Sequence, residues 1–246
     1  MSLLLKDNLF LAFDNELVLS LESKRILGRQ FGIPSEHSVT YQKNIPYVYP
    51  TPAAVIALAL GFVTVEDGIS LQPLSLDSLS FLFQTEQAIS DLLIFTDLYF
   101  KGLFIATGLK YGSDYVAYED HPNNCHSRFA VVIQHPSRIP HHQHDYSALP
   151  SVNPSQTTHF ISPRTLVSQS RLCTTVRKDL LLCSASFSFP PDTFSLTTHC
   201  SEMTLPLEQR TLLYSLDYVQ INWAGHNSIR SKEKVADENL PIVYDE

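Results

Sequence analysis

The chain has 246 residues, enough to bury a substantial core in one large domain or two small ones. Hydrophobic residues make up 44% and charged residues 17%, a balance that excludes a disordered chain. The formal net charge of −8 excludes a global basic field for attracting nucleic acid, so an RNA ligand would need a local basic patch or a partner's charge.

The four cysteines (Cys125, Cys173, Cys183 and Cys200) form no CxxC pair and are too few for a disulfide scaffold. Reduced thiols in an intracellular protein are expected. The opening MSLLLKDNLFLAF is interrupted by Lys6 and Asp7 before an apolar targeting core can form. AAVIALALGFVTV at 53–65 falls short of the ~20 residues that span a bilayer, and reads as a buried helix running into a strand.

Residues 9–20 read as a hairpin or a strand entering a helix. LESKRILGRQFGI at 21–33 has helical spacing, with Gly32 and Pro34 as its stop. Before the apolar run, Thr51 reads as an N-cap, Pro52 as the first helical position and Gly61 as the end. FVTVEDG follows as a strand, making residues 1–84 a small N-terminal α/β domain. TEQAISDLLIFTDLYFKG at 85–102 is the strongest helix, with Ile89, Leu92, Leu93, Phe95, Leu98 and Phe100 as its buried stripe and Gly102 as its end.

Strands are expected at 103–108, 113–118 and 128–134, with the polar loop YEDHPNNCHS (118–127) between the last two. Residues 135–160 are rich in Pro, Ser and His and read as a flexible insertion. SPRTLVSQSRL (162–172) opens with a Ser-Pro helix start, and strands are expected at 179–189 and 212–223. The tail from His226 reads as polar and loose. The HHQH cluster (His141, His142, His144), with His135 and His159, raises a metal reading. A Pro-interrupted loop gives it little of the fixed geometry that a zinc site requires.

Three stretches together resemble the tRNA-intron (splicing) endonucleases, and among them the eukaryotic catalytic subunit for the 3′ splice site. They are GLKYGSDYVAYEDHPNNCHSRFAVV (108–132), RLCTTVRKDLLLCS (171–184) and SLDYVQINWA (215–224). YPTPAAVIALALGFVTV is similar, more loosely, to that subunit's leading domain. The insertion between His126 and Lys178 is longer than the family pattern, and the charged interdomain linker of animal relatives is missing.

The resemblance implies an α+β chain: a small N-terminal domain, then a restriction-endonuclease-like nuclease domain over 85–246 with a central mixed sheet. It also implies a nuclear heterotetramer of two catalytic and two structural subunits. Cleavage of precursor tRNA would need no metal or other cofactor and would leave a 2′,3′-cyclic phosphate and a 5′-hydroxyl. By motif, Tyr118 is the base, His126 the acid and Lys178 the charge stabiliser, with Arg171 and Trp223 clamping a flipped-out base at the partner catalytic subunit. The chemistry of the three suits these roles: imidazolium donates near neutral pH and an ammonium stabilises a phosphorane. Tyrosine ionises near ~10, so a neighbouring Lys178 is expected to lower Tyr118. Alternation along the strand puts Tyr115 and Tyr118 on opposite faces, and Tyr115 stands as the second choice for the base.

Two other readings compete. A structural subunit of the same complex should lack one of the three groups. A metal-dependent nuclease could press Asp114, Glu119 and Asp120 into service, but no downstream acid-x-Lys pair accompanies them.

Overall fold

The computed structural model describes residues 1–31, 46–134, 162–187, 189–203, 205 and 214–222. Its first sheet begins with a tight hairpin. Strands β1 (Ser2–Lys6) and β2 (Leu9–Ala12) are joined by Asp7 and Asn8, whose φ angles of 51° and 61° make the left-handed pair that a two-residue hairpin requires. Strand β3 (Arg29–Gln30), β4 (Tyr47–Tyr49), β5 (Thr64–Asp67) and β6 (Pro73–Leu74) complete the order β3-β4-β2-β1-β5-β6, in which only β1 and β5 run parallel.

Helix α1 covers Asn15–Ser23, so 9–20 is a strand entering a helix. The expected helix over 21–33 ends far earlier. Arg25 turns left-handed (φ 64°), and the Ile26 amide donates back to the Leu21 carbonyl at 2.9 Å. That sharp exit buries Ile26, which bridges to Ile105 of the second sheet. Burial won over helical spacing. Gly32 and Pro34 lie outside the described residues.

Helix α2 (Thr51–Ala59) corrects the expected cap by one residue. Thr51 is already helical, Pro50 holds the cap position without a side-chain bond, and Gly61 follows at φ 70°. Residues 52–57 of α2 are all buried, as an apolar run without a polar face demands. No helix among the described residues is long and apolar enough to cross a membrane.

Helix α3 (Glu86–Phe100) starts where Thr85 Oγ1 accepts from the Ala88 amide, and Gly102 adopts φ 92° past its end. Ile89, Leu92, Leu93, Phe95 and Leu98 are buried as expected. Phe100 is exposed, while Ile94 and Tyr99 are buried instead. The helix is buried nearly all round because the second sheet and α2 both pack against it. One continuous apolar core runs from Leu3 and Phe10 through α3 to Val131 and Cys183.

The second sheet takes the order β11-β10-β9-β8-β7, from β7 (Phe104–Thr107), β8 (Tyr115–Tyr118), β9 (Phe129–Ile133), β10 (Asp179–Phe187) and β11 (Tyr214–Ile221). It is mixed: β9 and β10 are parallel and every other pair is antiparallel. The crossover from β9 to β10 contains α4 (Pro163–Thr175), capped by Ser162. Helix α5 (Leu196–Met203) precedes β11. All four cysteines carry free thiols. The architecture is a mixed α/β fold with two mixed sheets, the class expected from the sequence. The His-rich stretch 135–160 and the tail lie outside the described residues.

Candidate active site

Register brings three distant segments to one end of the second sheet. Ala117 of β8 and Asp179 of β10 both pair with Phe129 of β9. The Arg128 amide donates to the Ala117 carbonyl at 3.0 Å, and the Asp179 amide donates to the Arg128 carbonyl at 2.8 Å. Tyr118 and Lys178, one residue beyond each pairing, therefore flank the 126–128 segment from opposite sides.

Ser127 is the buried centre of this arrangement, 4% exposed. Its hydroxyl is hydrogen-bonded with Tyr118, and its carbonyl accepts from Lys178 Nζ at 3.3 Å. The same ammonium lies 4.6 Å from the centroid of the Tyr111 ring. His126 is exposed beside them. The loop that carries it is pinned by Asp120, whose carboxylate accepts from the His121 amide at 2.6 Å and from Asn124 Nδ2 at 3.1 Å. His121 itself is committed to the loop: its ring meets Phe104 edge-on and its Nδ1 accepts from the Asn123 amide.

Lys178 owes its direction to the end of α4. Arg177 is left-handed (φ 54°), its amide returning to Thr174 and the Lys178 amide to Cys173 at 2.9 Å. A non-glycine residue in this conformation costs about 1–2 kcal/mol. Such strain recurs where side-chain direction matters. Helix α4 also rests on the turn holding Tyr111. Gly112 is left-handed at φ 65°, and a Cβ there would come within 3.0 Å of Leu172 Cδ2. Arg171 sits on this helix, exposed. Trp223 lies outside the described residues.

Electrostatics correct one expectation. Burial pushes the Tyr118 phenol up, the bond with Ser127 pulls it partly back, and the neighbouring Tyr111 and Cys125 add to the rise; Lys178 is not among these causes. The ammonium faces the Ser127 carbonyl and the Tyr111 ring instead. Partial burial in turn pulls Lys178 down from its ordinary value.

Tyr115 is excluded as the base by its surroundings. It is buried against Phe95, ring centroids 5.2 Å apart, and its hydroxyl donates to Asp91. Burial and the Asp91 charge hold its pKa well above 10. The acidic residues that a metal nuclease would need are separated along β8. Asp114 accepts from the Ile133 amide at one end, while Glu119 pairs with Arg128 at the other. Among the described residues, no three His, Cys, Asp or Glu side chains gather into a metal-holding group.

A cleft of about 400 Å³, lined in part by Gly28, Arg29, Tyr49, Asp91 and Asp114, opens at the Tyr115 end of β8. It contains none of Tyr118, His126 and Lys178. These three share an open sheet end instead, which suits a polynucleotide better than a closed pocket does. Sequence reasoning missed Ser127 and Tyr111. Both stand inside the quoted motif, but only the fold puts them against Lys178.

Residues 88–187, from the first turn of α3 to the end of β10, match the family model of the tRNA intron endonuclease, catalytic C-terminal domain. The part of the chain that carries Tyr118, His126 and Lys178 is thus similar to that family's catalytic domain. No curated protein matches the chain.

Proposed function

We propose that this chain is the catalytic subunit of a tRNA-splicing endonuclease that cuts intron-containing precursor tRNA at the 3′ splice site. The observation that carries the reading is the meeting of Tyr118 and Lys178 on Ser127, beside His126, within the segment that matches the family.

In this reading Tyr118 takes the proton of the 2′-hydroxyl, and the 2′-oxygen attacks the adjacent phosphorus. The bond to the 5′-oxygen breaks, and His126 gives that oxygen a proton. Lys178 stabilises the charge that builds on the non-bridging oxygens. The products are a 2′,3′-cyclic phosphate and a 5′-hydroxyl. Every proton moved has a side chain to give or receive it, so the scheme needs no metal.

Arg171 and Trp223 would stack on an unpaired base at the partner catalytic subunit, a contact worth ~1–3 kcal/mol that reads shape rather than sequence. The acidic chain would share RNA binding with that subunit and two structural ones in a nuclear complex.

Cleavage of a precursor tRNA in excess EDTA tests the reading. The 3′ product should be labelled by a 5′-kinase without prior phosphatase treatment. A product carrying a 5′-phosphate, or activity abolished by EDTA and restored by magnesium, would overturn it.

A further inference from the structure

Lys178 is held before any substrate arrives. Its ammonium has three donors; one is given to the Ser127 carbonyl, and the group lies 4.6 Å from the centroid of the Tyr111 ring. The backbone that carries Tyr111 is held in a tight turn. The amide of Tyr111 donates to the Gly108 carbonyl at 2.8 Å, and Gly112 makes the left-handed turn on which Leu172 rests. The turn that carries Tyr111 and the helix that leads into Lys178 are thus packed on each other. Gly108 is tightly enclosed as well: a Cβ there would fall 2.2 Å from Ser113 Oγ and 2.7 Å from the Ser113 carbonyl. This turn carries the Tyr111 ring against the Lys178 ammonium.

We propose that Tyr111 is a positioning residue: its ring face and the Ser127 carbonyl form a two-point seat that aims the Lys178 ammonium at the scissile phosphate. The inference rests on the proposed reading of the site and adds a residue to it. The ring acts through Lys178. Its hydroxyl is dispensable, because the π face attracts the cation. A seated ammonium needs no reorganisation when charge develops on the phosphate, which raises the rate of the chemical step rather than the affinity for RNA.

The test compares Tyr111→Phe with Tyr111→Leu in the assembled enzyme, with single-turnover cleavage of precursor tRNA as one readout. The Phe variant should stay within about twofold of wild type. The Leu variant should lose about tenfold in kcat, on the scale of a partly desolvated cation–π contact, with KM within about twofold. The second readout is independent of activity: in the NMR spectrum of the full chain, the Lys178 ε-methylene protons should be shifted upfield by the ring in wild type and in the Phe variant. Loss of rate in the Phe variant equal to that in the Leu variant would overturn the proposal. So would a Leu variant as fast as wild type, or a Lys178 signal without the ring shift. Failure of the wild-type enzyme to cleave tRNA would strike the functional reading instead, and the spectrum would still decide the seat.

Discussion

Lys178 Nζ donates to the Ser127 carbonyl at 3.3 Å, although 51 residues separate the two in the chain. The parallel pairing of β9 with β10 makes this possible, because both strands begin at the same end of the sheet. Lys178→Ala should therefore remove a group already in place and lower the single-turnover rate by about 10²–10³. Lys178→Arg should not restore it, since a planar guanidinium cannot occupy the same seat. A Lys178→Ala enzyme within tenfold of wild type would end the assignment.

The Tyr118 phenol is raised by burial, so phenolate is scarce at neutral pH. In a His126→Ala enzyme the residual rate isolates Tyr118. It should climb about tenfold per pH unit without levelling off below pH 10. Removing the Tyr118 hydroxyl as well, with Tyr118→Phe, should flatten the slope. A plateau below pH 9 in the His126→Ala enzyme would show that some other group is the base.

Stability should fall in alkali for a related reason. Burial raises the Cys183 and Cys200 thiols from 9.0 to about 12. A group whose folded pKa is raised contributes its full stability below the unfolded value and loses it as pH climbs toward the folded one. The buried Tyr115 acts in the same direction from 10.0 upward. Thermal unfolding should show a constant Tm up to about pH 8 and a steady decline above pH 9. A flat Tm to pH 11 would contradict the burial of these groups.

The common core through α3 makes a prediction about the two sheets. Leu93 is 1% exposed and belongs to a cluster drawn from both of them. Leu93→Ala should cost about 2–5 kcal/mol and lower one shared unfolding transition. Two separate transitions, with only one of them shifted, would show that the sheets fold independently.

Much of this was legible in the sequence because it rests on local chemistry. Apolar runs bounded by turn residues marked β8 to β10, Gly102 marked the end of α3, and three motifs pointed to Tyr118, His126 and Lys178. What was not legible depends on the fold. The early end of α1 follows from Ile26 reaching across to Ile105, which no local spacing reveals. Burial of Tyr99 reflects the end of α1 on the flank of α3: the Tyr99 hydroxyl donates to the Lys24 carbonyl at 2.9 Å, and Arg25 lies 5.0 Å from its ring. The source of Tyr118's shift was misread for the same reason. Proximity of Lys178 was foreseen, but its ammonium faces Ser127 and Tyr111.

Strand β11 is the edge of the second sheet, and its side chains alternate inward and outward. Tyr218 and Val219 are adjacent in the strand, but the fold separates them. The Tyr218 hydroxyl donates to Asp97 of α3, and Lys101 lies 4.7 Å above its ring. Burial and the Asp97 bond push its pKa far up, as befits a packing residue. Val219 is 56% exposed on the other face. Tyr218→Lys should therefore destabilise the chain itself, by burying an ammonium where a phenol now bonds Asp97. Val219→Lys should leave the fold intact and weaken only association, since an exposed charge on an edge strand opposes pairing with another chain. Thermal unfolding and size-exclusion chromatography of the two variants, beside the co-purified complex, separate these effects. A Val219→Lys chain that retains its partners with unchanged affinity would remove this face of β11 from the assembly.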